Sequence, residues 1–240
     1  MHASRLIGIA LVLVLLTGCA TPRTSTSTRL PMQHPYRLLL VRPDIQVREL
    51  TADGSLSFRV EWADVARATL GEQLQRALVA KAGAAVDVIG SERAGADPAQ
   101  VAELHLRHDA LGQLMPRPKT VGGSLGDTAI NLGKSTGSDL LYIMHSDYTV
   151  RTTGRKAVVG AGMVGCAVLS AALLGGADVC KDPDAGDESA FASLIDAQNG
   201  EILWTSLGRA GFGDLRREKQ ARKLTKDLTR RLPELKPVGQ

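Results

Sequence analysis

"SLIDAQNGEILWTS", Ser193 to Ser206, is the stretch whose reading decides the fold. Ala190 to Asp196 and Glu201 to Leu207 read as two strands, and Asn199-Gly200 between them is a hairpin signal of the type I′ kind, with positive φ at both central positions. Trp204 is expected to pack a sheet face over a helix. Asp196 and Glu201 flank the turn and solvate its ends. These residues specify architecture and carry no chemistry of their own.

Working outward, Leu140 to Val150, "LLYIMHSDYTV", is a third strand, and Tyr36 to Val41 a compact fourth. Ile45, Val47 and Leu50, then Leu56, Phe58 and Val60, alternate about an Asp53-Gly54 turn. Trp62 to Lys81 switches to helical period, with Val65, Thr69, Leu70, Leu74, Ala77 and Leu78 on one face and Gly83 at the C-cap place. Ala85 to Ile89 is a strand. Asp97-Pro98 opens a helix, Asp as N-cap and Pro at the first helical position, carrying Val101, Leu104, His108, Leu111 and Met115. Asp127 to Lys134 is a short helix. Asp214 to Leu232 is the last, buried through Ala221, Leu224, Leu228 and Leu232. Strand–helix–strand–helix followed by a strand pair and a closing helix predicts one α/β sandwich: a mixed β-sheet covered by helices on at least one face.

The hairpin and the strand before it carry a resemblance. "SLIDAQNGEILWTS" resembles the D-x-x-T-G-E-[VI]-[LV]-W hairpin of a group of bacterial envelope proteins: the amino-terminal domain of TolB, the curli-secretion-channel lipoprotein, and penicillin-binding-protein activator lipoproteins. Asp196, Gly200, Glu201 and Trp204 match, and Asn199 stands in place of the group's Thr. "SDLLYIMHSDYTV" resembles their preceding strand, with His145 near the place of its usual glycine. The order of elements from Tyr36 to Leu232 agrees. The resemblance implies the α/β fold. Its members do different jobs, so it implies no single role.

The N-terminus is a targeting signal. Arg5, the apolar run Leu6 to Leu16 and the ending Leu16-Thr17-Gly18-Cys19 resemble a bacterial lipobox. This predicts cleavage after residue 18 and a diacylglycerol and acyl (palmitate-type) anchor on Cys19. Each buried methylene adds about 0.8 kcal/mol, so several chains anchor stably. Ala20 rather than Asp after the cysteine favours the outer membrane. Residues 1–18 are therefore read as signal peptide, 19–35 ("ATPRTSTSTRLPMQHP" after the cysteine) as a flexible Thr/Ser/Pro tether, and 36–240 as one domain.

Two features remain. Ala157 to Gly176, "AVVGAGMVGCAVLSAALLGG", is an uncharged Gly/Ala-rich insert before the last hairpin, bounded at about 155–188. Gly162, Cys166 and Ser170 form a small-residue row, and Ala167, Ala171 and Gly175 another. A segment apolar all round must be buried: on its own sheet, on copies of itself, or in lipid. Strands before and after it should end close together, so a bend near Ser170 or at a glycine pair is expected, with two short arms that do not span a membrane. Cys166 and Cys180 are a candidate disulfide, an even pair in an oxidising compartment once Cys19 is assigned. The alternative is a buried Cys166 and a free Cys180. The second feature is charge. The chain carries +4, and from Asp214 onward nine Lys or Arg accompany four acids. That basic end reads as a solvated helix face, or as contact with anionic lipid or a protein, and not as a nucleic-acid site.

Catalytic patterns do not assemble. His105-x-x-His108 lacks a third ligand in a recognisable spacing, so no metal is expected. His145-Ser146-Asp147 lies along a strand, where Ser146 points away from both neighbours. Gly160-x-Gly162-x-x-Gly165 fits GxGxxG but lacks the acidic residue a dinucleotide site needs. The sequence therefore predicts a non-enzymatic outer-membrane lipoprotein facing the periplasm, without cofactor, held to the membrane by its N-terminal lipid and serving envelope protein partners as an interaction or assembly module. The alternative is a homo-oligomeric secretion or pore component whose insert contacts lipid or neighbouring subunits.

Overall fold

Leu140, Tyr142, Met144 and Tyr148 lie on one face of the longest strand, Leu141 and Ile143 on the other, and all six are buried. A strand buried on both faces requires a layer on each side. The chain supplies both. The computed structural model describes residues 24–26, 36–82, 86–114, 123–174, 189–209 and 213–233. The strands are β1 (Thr24–Thr26), β2 (Tyr36–Leu40), β3 (Asp44–Leu50), β4 (Leu56–Phe58), β5 (Val86–Gly90), β6 (Leu140–Arg151), β7 (Ser189–Asp196) and β8 (Ile202–Arg209). The helices are α1 (Val60–Ala82), α2 (Pro98–Leu114), α3 (Gly126–Thr136), α4 (Thr153–Leu174) and α5 (Glu218–Thr229).

All eight strands join one mixed sheet in the order β1-β8-β7-β6-β2-β5, with β3 also beside β6 and β4 beside β3. Residues 36–50 run along β6 as two parallel segments, Leu38 opposite Leu140 and Asp44 opposite His145. The change comes at Val41-Arg42-Pro43, where proline cannot donate to a ladder. The outer partner changes there too, from β5 beside β2 to β4 beside β3. One face of the sheet is covered by α1 and α5, through Ala66, Leu70, Leu74 and Leu78 of the first and Ala221, Leu224 and Leu228 of the second. The other is covered by α2 and α3, through Leu104, Ala129 and Leu132. Each fully buried leucine contributes about 1.5–3 kcal/mol. The α/β sandwich is thus covered on both faces.

Several expectations change in detail. In α1, Val65 is half exposed while Ala63 and Ala66 are buried, so the buried stripe is rotated from the one marked by the bulkier side chains. Close packing on the sheet selects the small residues for the inner side. The hairpin turn is wider than type I′. Gly200 has φ +74° and no non-glycine residue among those described has positive φ, because Asp196 closes the loop twice, accepting from Gly200 N at 2.8 Å and donating from its own N to Glu201 O at 2.9 Å. Within the expected tether, Thr24–Thr26 forms β1, antiparallel to β8 with Thr24 opposite Ser206; it pairs an edge that β8 would otherwise leave open. The last helix begins at Glu218, since Asp214 is spent on Arg216, whose backbone N and guanidinium both donate to it.

The insert departs most. Thr153 to Leu174 is one continuous helix with no bend near Ser170. Backbone hydrogen bonding continues through the glycines, which lower helix propensity but do not block it. Of its residues with described side chains, Val159 is buried, whereas Val158, Met163 and Val164 are 53%, 37% and 66% exposed. Among the described residues no helix is long and apolar enough to cross a membrane. Cys19, Gly83, Cys180 and the Gly175-Gly176 pair, the other expected place for a bend, lie outside the described residues.

Candidate functional site

Where β2 gives way to β3, the sheet opens a cleft of about 600 Å³. It lies beyond the carboxyl end of β5 and of β2, which is where open α/β sheets hold ligands, and its volume is that of a small-ligand or peptide-side-chain site. Arg42 and Asp44 come from the β2–β3 change, Asp64 and Arg67 from the start of α1, Glu92 from the end of β5, and His105 and Asp109 from α2. Local sequence explains these positions. Ser91 N donates to Leu40 O at 3.0 Å and Arg42 N to the Ser91 hydroxyl at 3.1 Å, which ties the two strand ends together. The N-cap Asp97, accepting from Ala99 N at 3.0 Å, aims α2 across the opening.

The charges of the cleft are engaged with one another. His145 of β6 bonds Asp44 at 2.9 Å and faces Asp109 at 3.8 Å. Arg42 approaches Asp64 at 3.5 Å and Glu92 at 3.6 Å, and Arg67 meets Asp64 at 2.6 Å. Arg67 also donates to Ile45 O at 3.1 Å, and His105 Nε2 lies 2.8 Å from Arg42 O. The bond with His145 lowers the Asp44 pKa against the opposing effect of burial. Burial works against the charged form of His145, but the Asp44 bond and the charges of Asp44, Asp109 and Asp147 outweigh it and raise its pKa. His105 is lowered by burial.

The two helix histidines part company. His108 is buried under α2, bonded to the Ser193 hydroxyl at 2.9 Å and stacked on Phe191 with ring centroids 4.6 Å apart. Burial brings its pKa down to about 3, so it stays neutral. His105 turns to the cleft instead. Among the described residues no group of three or more His, Cys, Asp or Glu is placed to hold a metal ion. Ser146 is buried on the α1/α5 face and donates to Ser189 O at 3.2 Å, away from His145 and Asp147. The GxGxxG glycines lie within helix α4 rather than in a strand-to-helix turn. What the described residues assemble here is a polar cleft whose charged side chains pair with one another. Arg42, Asp44, Arg67 and Asp109 went unmarked in the sequence; the signal for them is the Arg-Pro-Asp that interrupts an apolar run at the end of a parallel strand.

The Asp44–His145 pair sets a pH dependence. His145, its pKa raised above 6.5, contributes stability that is fully present below the unfolded-state value and lost as pH rises through the folded value. Asp44, lowered from 3.8, contributes stability present above that value and lost as pH falls through the folded one. The destabilisation by His145→Gln should therefore be largest between about pH 4 and 6.5 and shrink toward pH 9. Urea unfolding of both proteins at pH 5.5 and 9 checks this; an equal difference at both would reject the charged pair.

No family model matches the chain, and no curated protein matches it in sequence. Similar solved structures include the PelC dodecamer from Paraburkholderia phytofirmans, 12% identical over 86% of this chain and 93% of that one, with a TM-score of 0.39. The LpoB C-terminal domain from Salmonella enterica is 16% identical over 75% and 85%, TM-score 0.28. A lipoprotein from Neisseria meningitidis is 14% identical over 75% and 82%, TM-score 0.29. These neighbours match the envelope-lipoprotein group that the hairpin resembles. At such identities and TM-scores they carry no argument about the site or the role.

Proposed function

We infer that this chain is a periplasm-facing lipoprotein of the outer membrane, anchored through acylated Cys19, whose domain is a non-catalytic interaction or assembly module of the envelope. One observation carries the non-catalytic part: the cleft where β2 gives way to β3 pairs its charges internally, as Asp44–His145, Arg67–Asp64 and Arg42 with Asp64 and Glu92, and its described residues present a polar, shaped surface. The lipobox ending Leu16-Thr17-Gly18-Cys19 supports the anchor. Leu106, 73% exposed at the cleft rim, is the place to test the module. A photo-crosslinker there should give a discrete heterologous adduct in intact cells, weakened by Asp44→Lys. Absence of any adduct would count against the interaction reading, and self-adducts alone would favour the oligomer below.

Cys19→Ser should shift the protein from the detergent phase to the soluble fraction, or leave uncleaved precursor. Unchanged processing and membrane retention would reject the anchor. A Cys166–Cys180 disulfide belongs to the same proposal. Closing a loop of about 15 residues, it is worth roughly 3 kcal/mol in the chain-entropy account. Mass analysis of unreduced peptides should find the two linked; free labelling of both thiols in the unfolded, unreduced protein would exclude the bond.

A second reading, a homo-oligomeric secretion or pore component, is favoured by one feature: Val158, Met163 and Val164 of the apolar helix α4 are exposed.

A further inference from the structure

Three observations meet at one end of the sheet. The first is where α4 starts. Thr152 N donates to Leu50 O at 3.0 Å, and Gly154 sits against Ala52 of the β3–β4 turn, where an added Cβ would lie 3.2 Å from the Ala52 methyl. The helix thus leaves the rim formed by the ends of β3 and β6. Its 22 residues extend about 33 Å, and the 18 from Ala157 to Leu174 carry no charge.

The second is what surrounds that start. Leu56, in the row of Leu50 and Arg151, is 56% exposed, and Phe58 next along the same strand is 69% exposed. Val158, Met163 and Val164 of α4 are exposed as well. Arg151, Arg155 and Lys156 stand at its base. Arg155 and Lys156 lie in the first turn of α4, where a cation opposes the helix dipole. Basic residues flanking an apolar element are what anionic lipid headgroups attract.

The third is where the N-terminus comes from. β1 runs antiparallel to β8, and Thr24 lies in the row of Ser206, Ala192 and Met144. Followed backward, β1 therefore points to the end of β8 at Arg209, the end from which α4 departs. Cys19 is five residues before Thr24, a reach of about 17 Å at most. β1 and β6 are three strand spacings apart, about 14 Å. The backbone at Thr24 thus leads toward the same end of the domain as the base of α4.

We propose that α4, with Leu56 and Phe58, is a second membrane contact: it seats in the headgroup and outer acyl layer beside the lipid anchor and does not cross the bilayer. This rests on the anchored-lipoprotein reading through the position of Cys19. Crossing is excluded by the return of the chain. Ser189 pairs with Asp147 at the rim, and the 14 residues from 175 to 188 include Asp178, Asp182, Asp184, Asp187 and Glu188, which the hydrocarbon layer does not admit. A single second copy is the poorer occupant. A helix apolar on every side would still leave much of its surface in water after one pairwise contact, whereas lipid covers it without a matching shape.

The test uses the chain from residue 20 onward, which retains every described element and has no acyl group, mixed with vesicles of phosphatidylglycerol and phosphatidylethanolamine. It should co-sediment with them, and Val158→Asp with Val164→Asp should lower the partition coefficient at least about tenfold. Both positions are exposed, so the variant's thermal midpoint should match the parent's. In a Val164→Trp chain, brominated acyl chains should quench the added emission. Vesicle binding no stronger than that of the double variant would overturn the proposal. So would a vesicle-free oligomer that the double variant loses, which would assign α4 to a second copy. Because the assay omits the acyl group, its failure leaves the Cys19 reading intact. Membrane retention of Cys19→Ser in cells would overturn that reading while leaving this one standing.

Discussion

Trp204→Ala is expected to cost about 3–5 kcal/mol of folding stability, the range for deleting a fully buried tryptophan side chain. Trp204 is wholly buried between the sheet and the α1/α5 layer, its ring 6.2 Å from that of Tyr142. Its indole Nε1 donates to Arg231 O at 2.8 Å, just past α5. Truncation therefore removes apolar burial, opens a cavity that rigid β7 and β8 cannot close, and leaves a carbonyl at the end of α5 without its donor. Against a typical total of about 5–15 kcal/mol, that loss populates the unfolded state. Trp204→Phe should recover most of it, since the ring volume is largely kept and about 1 kcal/mol of hydrogen bonding is lost. Urea unfolding separates the two variants. A cost below about 1 kcal/mol for the alanine variant would mean that Trp204 does not hold the helix layer to the sheet.

Gly200→Ala should cost about 2–5 kcal/mol, for two reasons that add. Gly200 has φ +74°, a left-handed conformation that costs an L-residue with a side chain about 1–2 kcal/mol. An added Cβ would also lie 2.8 Å from Gly126 O and 2.9 Å from Gly126 N, backbone atoms that cannot swing aside, and overpacking of this kind costs about 1–3 kcal/mol. The contact is structural. Leu125 N donates to Gly200 O at 2.9 Å and Ser124 bridges to Glu201, so the β7–β8 turn carries the segment that leads into α3. The alanine variant should thus loosen α3 as well as the hairpin, seen as faster amide exchange at Ala129 and Leu132. Loss of protection confined to residues 196–201 would show that the turn and α3 are not coupled.

These two residues mark what local sequence could specify. Trp204 was readable as a core residue because a tryptophan in an alternating strand has one place to go. Gly200 was readable as a turn glycine, but its turn type was not. The Asn-Gly pair alone favours a two-residue loop, and only the contact with Ser124–Gly126, more than 70 residues away in the chain, shows that the loop must be wider and its glycine bare. The same limit applies to α1. Its period announced a helix, while the choice between the Val65 side and the Ala63–Ala66 side as the inner one depended on how closely the sheet approaches.

The cleft was less legible still. His105 and His145 stood out in the sequence for other reasons and were set aside as metal and triad candidates. Their actual neighbours, Arg42 O, Asp44 and Asp109, lie 36 to 101 residues away. No spacing rule links them, because they meet through strand register: Asp44 opposite His145 on parallel strands, with α2 laid across.

By itself the sequence determined the strands from β2 onward, the helices and the closing hairpin, since each is written in local periodicity or turn chemistry. Tertiary structure alone decided that β2 and β3 divide one edge of β6, that the cleft opens where they part, and that α4 leaves from the end of the sheet with Val158, Met163 and Val164 exposed. Periodicity records that a residue is apolar and which neighbours share its face. It does not record what that face meets, because burial is a property of two surfaces and the second one is supplied by a distant part of the chain.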